Sequence, residues 1–463
     1  MAAPIALVAK EQLVGDRGGR SLWWATAPAI EPIAPLAQAL RAQIAVIGAG
    51  YTGLSAALHL AEAGRDVVVL DAMDLGEGAS GRNGGQVIPG LKYDPDTLED
   101  MFGGGLGAKL VATAAAGPDL VFELIRKHGI DCEAVRNGWL QLAATESALE
   151  AIGVRARQWQ ARGAAVESLS EAEAARLTGT QRYYGGLIDR RGGTVQPLAY
   201  LRGLAAAARR GGTRLFTHSG ATHLERSGGE WLIRTRAGSV SCRQVVFATN
   251  AYSDKFVEPL QRTIVAIPSL QVATAPLPPH LSRSILPEGQ AVSDTWRLLR
   301  YFRKDAQGRL IMGSRGVFGD VPPAQAAGLH YRAVREIYPQ LAGISFDYTW
   351  AGFVAMTPDH LPHLHEVAPG IVAGLGYNGR GVAMATTMGT LLARRLLGED
   401  AEDLGFPVTP VRPMPLHRFS RFAAGTAIQY LRALDGVARM AERIRRRKRT
   451  TSTWAAWIRG RPD

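Results

Sequence analysis

At 463 residues, with 46% hydrophobic and 20% charged residues, the chain has the composition of a globular protein of more than one domain. Its apolar runs stop short of the roughly 18 residues a membrane-spanning helix needs, and two cysteines, Cys132 and Cys242, are too few for a disulfide framework, which suits a reducing cytoplasm. Of the formal net charge of +12, +7 falls in the last 25 residues, so the basicity belongs to the tail and the body is nearly neutral.

The start, MAAPIALVAKEQLVGDRGG, lacks a basic leader and a long apolar stretch, so a secretory signal is not expected and residues 1–40 read as an N-terminal arm. QIAVIGAG follows. Ile44 to Ile47 read as a buried parallel strand, Gly48, Gly50 and Gly53 form G-x-G-x-x-G, and LSAALHLAEAG reads as a helix ending at Gly64. A second apolar run, DVVVLDA, ends at Asp71. This is a complete nucleotide unit. The glycines permit a tight turn and close approach of backbone to a pyrophosphate, and the helix N-terminus offers unpaired N–H groups. Asp71 can accept from both ribose hydroxyls and argues against a 2′-phosphate, but the motif alone does not separate NAD from FAD.

GEGASGRNGGQ (76–86) then supplies a glycine-rich loop suited to main-chain contact with a large planar ligand. Within it, Arg82 and Asn83 read either as donors to phosphate or flavin oxygens or as a surface ion pair and a turn residue. Residues 91–190 and 256–349 interrupt the nucleotide units and are expected to build a substrate domain, a sheet with covering helices. Pro197 opens a helix (LAYLRGLAAAARR), TRLFTH is a strand, and turns at SGGE and RAGS mark a hairpin-like run. VVFAT ends in Asn250, a small polar terminus. Arg300, Tyr301 and Arg303 lie on a strand that alternates faces, so only some can point inward. The crowded His360, His363 and His365 suggest metal at first sight, but Pro362 interrupts any helix that could align them, and no metal site is expected.

A second G-x-G-x-x-G occurs at Gly374, Gly376 and Gly379, between an apparent strand (GIVAG) and helix (VAMATTMGTLLARRLL). No apolar strand ending in an acid follows that helix, so one dinucleotide is expected rather than two. In the tail, Phe419, Phe422, Leu431, Leu434, Val437 and Met440 show partial helical spacing that could pack on the body. RIRRRKR, with Trp454 and Trp457 beyond it, either sits in water or touches anionic lipid. Nucleic-acid binding is not expected, since the body offers no basic and aromatic platform.

Taken together, SLWWATAP (21–28), the fingerprint with Asp71, GASGRNGGQ (78–86), GGTVQP (192–197), VVFATNAY (245–252), YFRKDAQGRLIMGSR (301–315) and GYNGRGVAMATTMG (376–389) make the sequence similar to the FAD-dependent D-amino-acid oxidase-like superfamily. It most resembles the branch of γ-glutamylputrescine oxidases and related amine oxidases. The resemblance implies an α/β fold: a Rossmann-like FAD-binding domain from 41–90, 191–255 and 350–410, an inserted antiparallel-sheet substrate domain from 91–190 and 256–349, and a basic helical tail, 411–463. Noncovalent FAD would be held by Gly48, Gly50, Tyr51, Thr52 and Gly53, by Asp71 and Ala72, and by Ser80, Arg82, Asn83, Gly84, Gly85 and Gln86. Ala221 falls at the adenine, with Ala248 and Asn250 further along, and Gly376, Gly379, Gly381 and Val382 lie against the flavin ring.

The implied reaction is hydride transfer from an amine or amino acid to flavin N5, followed by imine hydrolysis, with oxygen, or alternatively a quinone or carrier protein, as acceptor. A nucleotide-holding protein without turnover is the rival of another class. Tyr377 and Arg380 are candidates to meet a substrate carboxylate or amide, or else outward-facing loop residues. Trp350 is an aromatic wall or a plain core residue. The expected location is the cytoplasm, with peripheral contact at the inner membrane face through the tail as a further reading.

Overall fold

A computed structural model describes residues 21–315 and 327–459, with side chains described except for Lys255 and 447–459. The first half of the N-terminal arm, residues 1–20, and the side chains of Trp454 and Trp457 lie outside the described residues.

Strands IAVI (Ile44–Ile47) and VVVL (Val67–Leu70) are buried at every position, as expected for strands covered on both faces. They sit in a seven-stranded sheet ordered Val408–Thr409, His363–Ala368, Ile371–Leu375, Gln244–Phe247, Ile44–Ile47, Val67–Leu70, Arg214–Phe216. The last five are mutually parallel. Helices Tyr51–Glu62, Pro197–Arg210 and Gly381–Leu396 share one core with this sheet. Ala45, Ile47, Val68 and Leu70 instead share a second core with Ile233 and Val240 of a four-stranded meander, Ala39–Arg41, Ser239–Cys242, Glu230–Arg234 and His223–Ser227. The hairpin-like run is thus two antiparallel pairs. Within the arm, Trp23 of helix Leu22–Thr26 is fully buried.

The second sheet has eight strands, ordered Phe346–Met356, Val265–Pro276, Arg309–Arg315, Tyr301–Lys304, Ala291–Asp294, Trp139–Leu142, Gly186–Asp189, Val166–Leu169. All neighbours are antiparallel except Ala291–Asp294 against Trp139–Leu142, which run parallel. The expected purely antiparallel sheet is therefore corrected at that pair, where the two halves of the substrate domain join edge to edge. Strand Phe346–Met356 pairs with Val265–Pro276 along nearly its whole length. Position 350, read from the sequence as the start of the returning FAD domain, accordingly lies inside a strand of the second sheet.

Helix Ser420–Arg459 crosses the substrate domain. Its contacts correct the sequence expectation. Of the six apolar residues, Phe419, Phe422, Val437 and Met440 face outward and only Leu431 and Leu434 are half-buried, while Ile428, Asp435 and Glu442 face the body. Partial apolar spacing fits either orientation of a helix; here buried carboxylates with protein donors decide it. Asp435 accepts from the backbone N–H of Leu298 at 2.9 Å, and Glu442 accepts from the Tyr184 hydroxyl.

Candidate active site

One cavity of about 630 Å³ runs between the two sheets, within the size range of cofactor and ligand pockets. One end is built by the turn after Ile44–Ile47. Gly48 has φ +104°, and a Cβ there would stand 2.8 Å from the Ala248 carbonyl oxygen; a Cβ on Gly53 would fall 1.9 Å from the Gly48 carbonyl oxygen. Strand and helix therefore touch through main chain, as the fingerprint requires. Asp71, at the end of the neighbouring strand, accepts from Ala49 N–H at 2.7 Å and Met73 N–H at 2.9 Å. Burial raises its pKa, and those two N–H groups pull it back.

Loop 78–86 forms the middle wall. The Ser80 hydroxyl accepts from Tyr51 N–H (3.0 Å), and the Tyr51 hydroxyl donates to Ser80 and Pro197 carbonyls, both at 2.9 Å. Asn83 donates to the Ser80 carbonyl and accepts from Gly85 N–H; Arg82 donates through Nε to the Glu77 carbonyl (2.7 Å) and through its guanidinium to the Ala351 carbonyl. Of the two readings of Arg82 and Asn83, loop bracing is what these bonds show, although both residues also line the cavity. Arg303 holds the loop from beneath, donating to the Gly85 and Val195 carbonyls under the Trp23 ring.

The far wall is the second glycine loop. Tyr377 is buried, its hydroxyl 2.5 Å from that of Thr52, and Asn250 accepts from Gly376 N–H at 2.9 Å. Helix Gly381–Leu396 starts at the cavity, with Gly381 and Val382 on the lining.

Gly48, Gly50, Tyr51, Thr52, Asp71, Ala72, Ser80, Gly84 and Gln86 line this one space, as do Ala221, Ala248, Asn250, Tyr377, Gly379, Arg380, Gly381 and Val382. Gly53, Gly85, Gly376 and Trp350 do not. The three glycines stand behind the lining, shaping the turns. Trp350 is fully buried, packs edge-on to Trp23, and donates to the Arg82 carbonyl at 3.0 Å. It stands as a core tryptophan rather than an aromatic wall, because it is fully enclosed and its indole N–H is turned to the Arg82 carbonyl, which also accepts from the Gln271 side chain. Of the alternating residues, Tyr301 faces the cavity, while Arg300 pairs with Glu336 away from it. His363 and His365 bond Thr409 at the sheet edge, and among the described residues no group of three or more metal-ligating side chains occurs.

Sequence reasoning missed the charged end of the cavity. Lys92, Arg155, Arg315 and Arg380 all line it, from four distant segments. The Arg380 guanidinium lies over the Trp139 ring, 5.3 Å from its centre, and Arg155 donates to the Gln141 side chain at 2.8 Å. Trp139 and Gln141 share one face of a strand, so both guanidiniums lie against that face. Arg155 pairs with Asp94, but among the described residues Lys92, Arg315 and Arg380 make no ion pair. Burial, and then Arg155, pushes Arg380 down from its usual value; burial, and then Arg315 and Arg380, does the same to Lys92. In the sequence, Arg380 was a candidate for a substrate carboxylate and Arg315 only the last residue of YFRKDAQGRLIMGSR, while Lys92 and Arg155 carried no signal.

Loop 295–299 closes this end, with Thr295, Trp296, Arg297 and Leu299 on the lining. Asp294 accepts from Arg300 N–H at 2.8 Å on one side and Asp435 holds Leu298 N–H on the other. Burial raises the Asp294 pKa to about 6 against the opposing pull of Arg300.

A dinucleotide with a planar ring system fits these residues. The glycine turn leaves room for a pyrophosphate, Asp71 stands at a ribose position, and the second loop meets the other end. Among the described residues no cysteine or histidine lines the cavity. Comparison with known proteins agrees. The family model for FAD dependent oxidoreductases, DAO, matches residues 43–395. The γ-glutamylputrescine oxidoreductase of Escherichia coli (strain K12) is 34% identical over 422 residues, covering 90% of this chain and 99% of that protein. Among solved structures, glycine oxidase from Geobacillus kaustophilus superimposes with a TM-score of 0.67 at 22% identity, over 80% of this chain and 99% of that one. L-proline dehydrogenase from P. horikoshii gives 0.66 at 19% identity, over 83% and 99%. The chain belongs to the DAO family of FAD-dependent oxidoreductases.

Proposed function

We propose that this oxidoreductase oxidises the C–N bond of a small amine that carries a carboxylate, with a γ-glutamylated amine as the preferred class. The observation that carries this reading is the cationic end of the cavity. Among the described residues Lys92, Arg315 and Arg380 make no direct ion pair, although Asp189 and Asp94 lie within electrostatic reach of Arg380, and like charges gathered at one end of a cavity repel one another unless an anion joins them. A substrate carboxylate supplies one, and guanidiniums suit it through bidentate hydrogen bonds. The relatives named above act on γ-glutamylputrescine and glycine, both of which combine an amine with a carboxylate.

Bound FAD supplies the electron sink that takes a hydride from the carbon next to nitrogen. The chain's own residues bind, orient and desolvate. Gly48 to Thr52 and Asp71 would hold the adenosine diphosphate half, and Gly379 to Val382 the ring end. There the first turn of helix Gly381–Leu396 offers N–H groups and a partial positive charge where negative charge develops. The amine must reach the flavin end as the free base, which alone can release hydride, and desolvation in the cavity lowers its pKa in that direction. No side-chain base is then required. Oxygen is the first reading for the acceptor. A quinone at a membrane is the second, favoured by the outward apolar face of the tail helix.

The deciding experiment is an anaerobic visible spectrum of purified protein mixed with γ-glutamylated amines, simple primary amines, N-methyl amino acids and D-amino acids, then opened to air. Bleaching by carboxylate-bearing amines and fast recovery in air are the expected results. Bleaching by uncharged amines alone would overturn the substrate reading, and slow recovery would favour the quinone.

A further inference from the structure

We infer that the outward face of helix Ser420–Arg459 is a docking surface for an anionic lipid bilayer, which seats the enzyme on a membrane without crossing it. The inference stands apart from the substrate reading and from the choice of acceptor.

Phe422, Tyr430, Val437, Met440 and Ile444 are between 49 and 71% exposed, and Phe419, just ahead of the helix, is 52% exposed. Val437 follows Tyr430 by seven residues and Ile444 follows Val437 by seven. At 3.6 residues per turn, all six fall within an arc of about 80°. The buried Ile428, Asp435 and Glu442 lie on the opposite side. An apolar stripe this long, left facing outward on a folded protein, marks an interaction site.

Charge selects the occupant. Asp435 and Glu442 are the only carboxylates of the helix, and both point into the body: Asp435 is 0% and Glu442 7% exposed. The outer half therefore carries no acid. Arg432 and Arg443 flank the stripe on one side and Arg445 on the other, with the Arg443 and Arg445 side chains 63% and 66% exposed. A stripe of aromatic and aliphatic groups flanked by three arginines, of which Arg443 and Arg445 also reach Glu336 and Glu442 at the helix's inner edge, matches the boundary of an acidic bilayer, where rings and methyls enter the acyl margin and guanidiniums meet lipid phosphates. A second copy would bring two acid-free, arginine-rimmed faces together, which the charges oppose. No helix among the described residues is long and apolar enough to span, so the contact is interfacial.

The test is vesicle flotation of the full-chain holoenzyme with phosphatidylcholine vesicles and with vesicles containing about one-third phosphatidylglycerol. The protein is expected to float with the acidic vesicles alone and to be released by raised ionic strength. The triple variant Phe422→Ser/Val437→Ser/Met440→Ser, which touches neither cavity nor body, should lose at least roughly tenfold in partitioning, with flavin content and turnover unchanged. As a second measurement that leaves the stripe apolar, Val437→Trp should shift its emission to the blue on acidic vesicles. Equal flotation of wild type and triple variant, or no flotation and no shift, would overturn the inference. So would a concentration-dependent dimer that the triple variant abolishes, because the stripe would then be covered by a second copy.

Discussion

Replacing Arg380 by glutamine separates carboxylate recognition from general damage to the site. The guanidinium stacks on Trp139, donates to the Pro89 carbonyl at 2.5 Å, and stands beside a second cation, Arg155. A hydrogen bond to a charged group is worth about 1.5–3 kcal/mol, so its loss should lower kcat/KM roughly 10- to 150-fold. The lower figure is expected if Lys92, Arg155 and Arg315 share the anion. The assay is anaerobic flavin reduction with two matched substrates, a γ-glutamylated diamine and the same diamine acylated with an uncharged group. The defect should appear only with the first, and chiefly in KM, since binding of the distant carboxylate is the same before and during hydride loss. An equal loss for both substrates, or none for either, would refute the assignment of this cluster to substrate charge.

Gly53→Ala would place a methyl 1.9 Å from the Gly48 carbonyl oxygen; overpacking of this kind costs about 1–3 kcal/mol or more. FAD content after dialysis should fall, and full retention would show that the turn does not carry the cofactor. For Asp294, burial raises the folded-state pKa to about 6, above the ordinary aspartate value of about 3.8. Its contribution to stability is therefore complete below about pH 4 and disappears as pH rises through 6, a change of roughly 3 kcal/mol. Asp294→Asn should flatten this part of the melting-temperature profile, and an unchanged slope would exclude the residue as its source. Asp435→Ala strips acceptors from the backbone N–H groups of Arg297 and Leu298. It should cost about 1–3 kcal/mol and raise KM with flavin content intact; an unaltered KM would mean that loop 295–299 is held without the tail.

What the sequence revealed and what it hid differ in range. The unit from Ile44 to Asp71 is local: strand, glycine turn, helix and acid follow one another, and each is fixed by neighbours within a few residues. The second glycine loop was equally legible, because the missing acidic strand after it distinguishes a cofactor-capping turn from a second nucleotide unit. The cationic cluster was not. Arg380 alone was singled out; Lys92, Arg155 and Arg315 are unremarkable singly, and only the tertiary fold brings all four to one cavity. Trp350 shows the converse limit, since strand spacing cannot say whether an indole meets a ligand or a carbonyl. The tail was read facing the wrong way because apolar periodicity marks a face without saying what covers it. Its inward side is fixed by two carboxylates whose partners, Leu298 and Tyr184, lie far away in sequence.

The order of strands in the seven-stranded sheet also sets a timetable. Ile44–Ile47 leaves the ribosome early, but its neighbour Gln244–Phe247 and the next strand, Ile371–Leu375, come much later. The nucleotide turn thus waits, half-built, for a floor at Ala248 and Asn250 and a lid at Gly379, while the whole substrate domain is synthesised in between. Long-range parallel pairing of this kind is slow to form. Flavin capture should therefore be a late event, binding a chain that has already closed on itself and holding it closed by mass action. The level of free flavin in the cell would then govern how much newly made enzyme survives, independently of how fast the enzyme turns over.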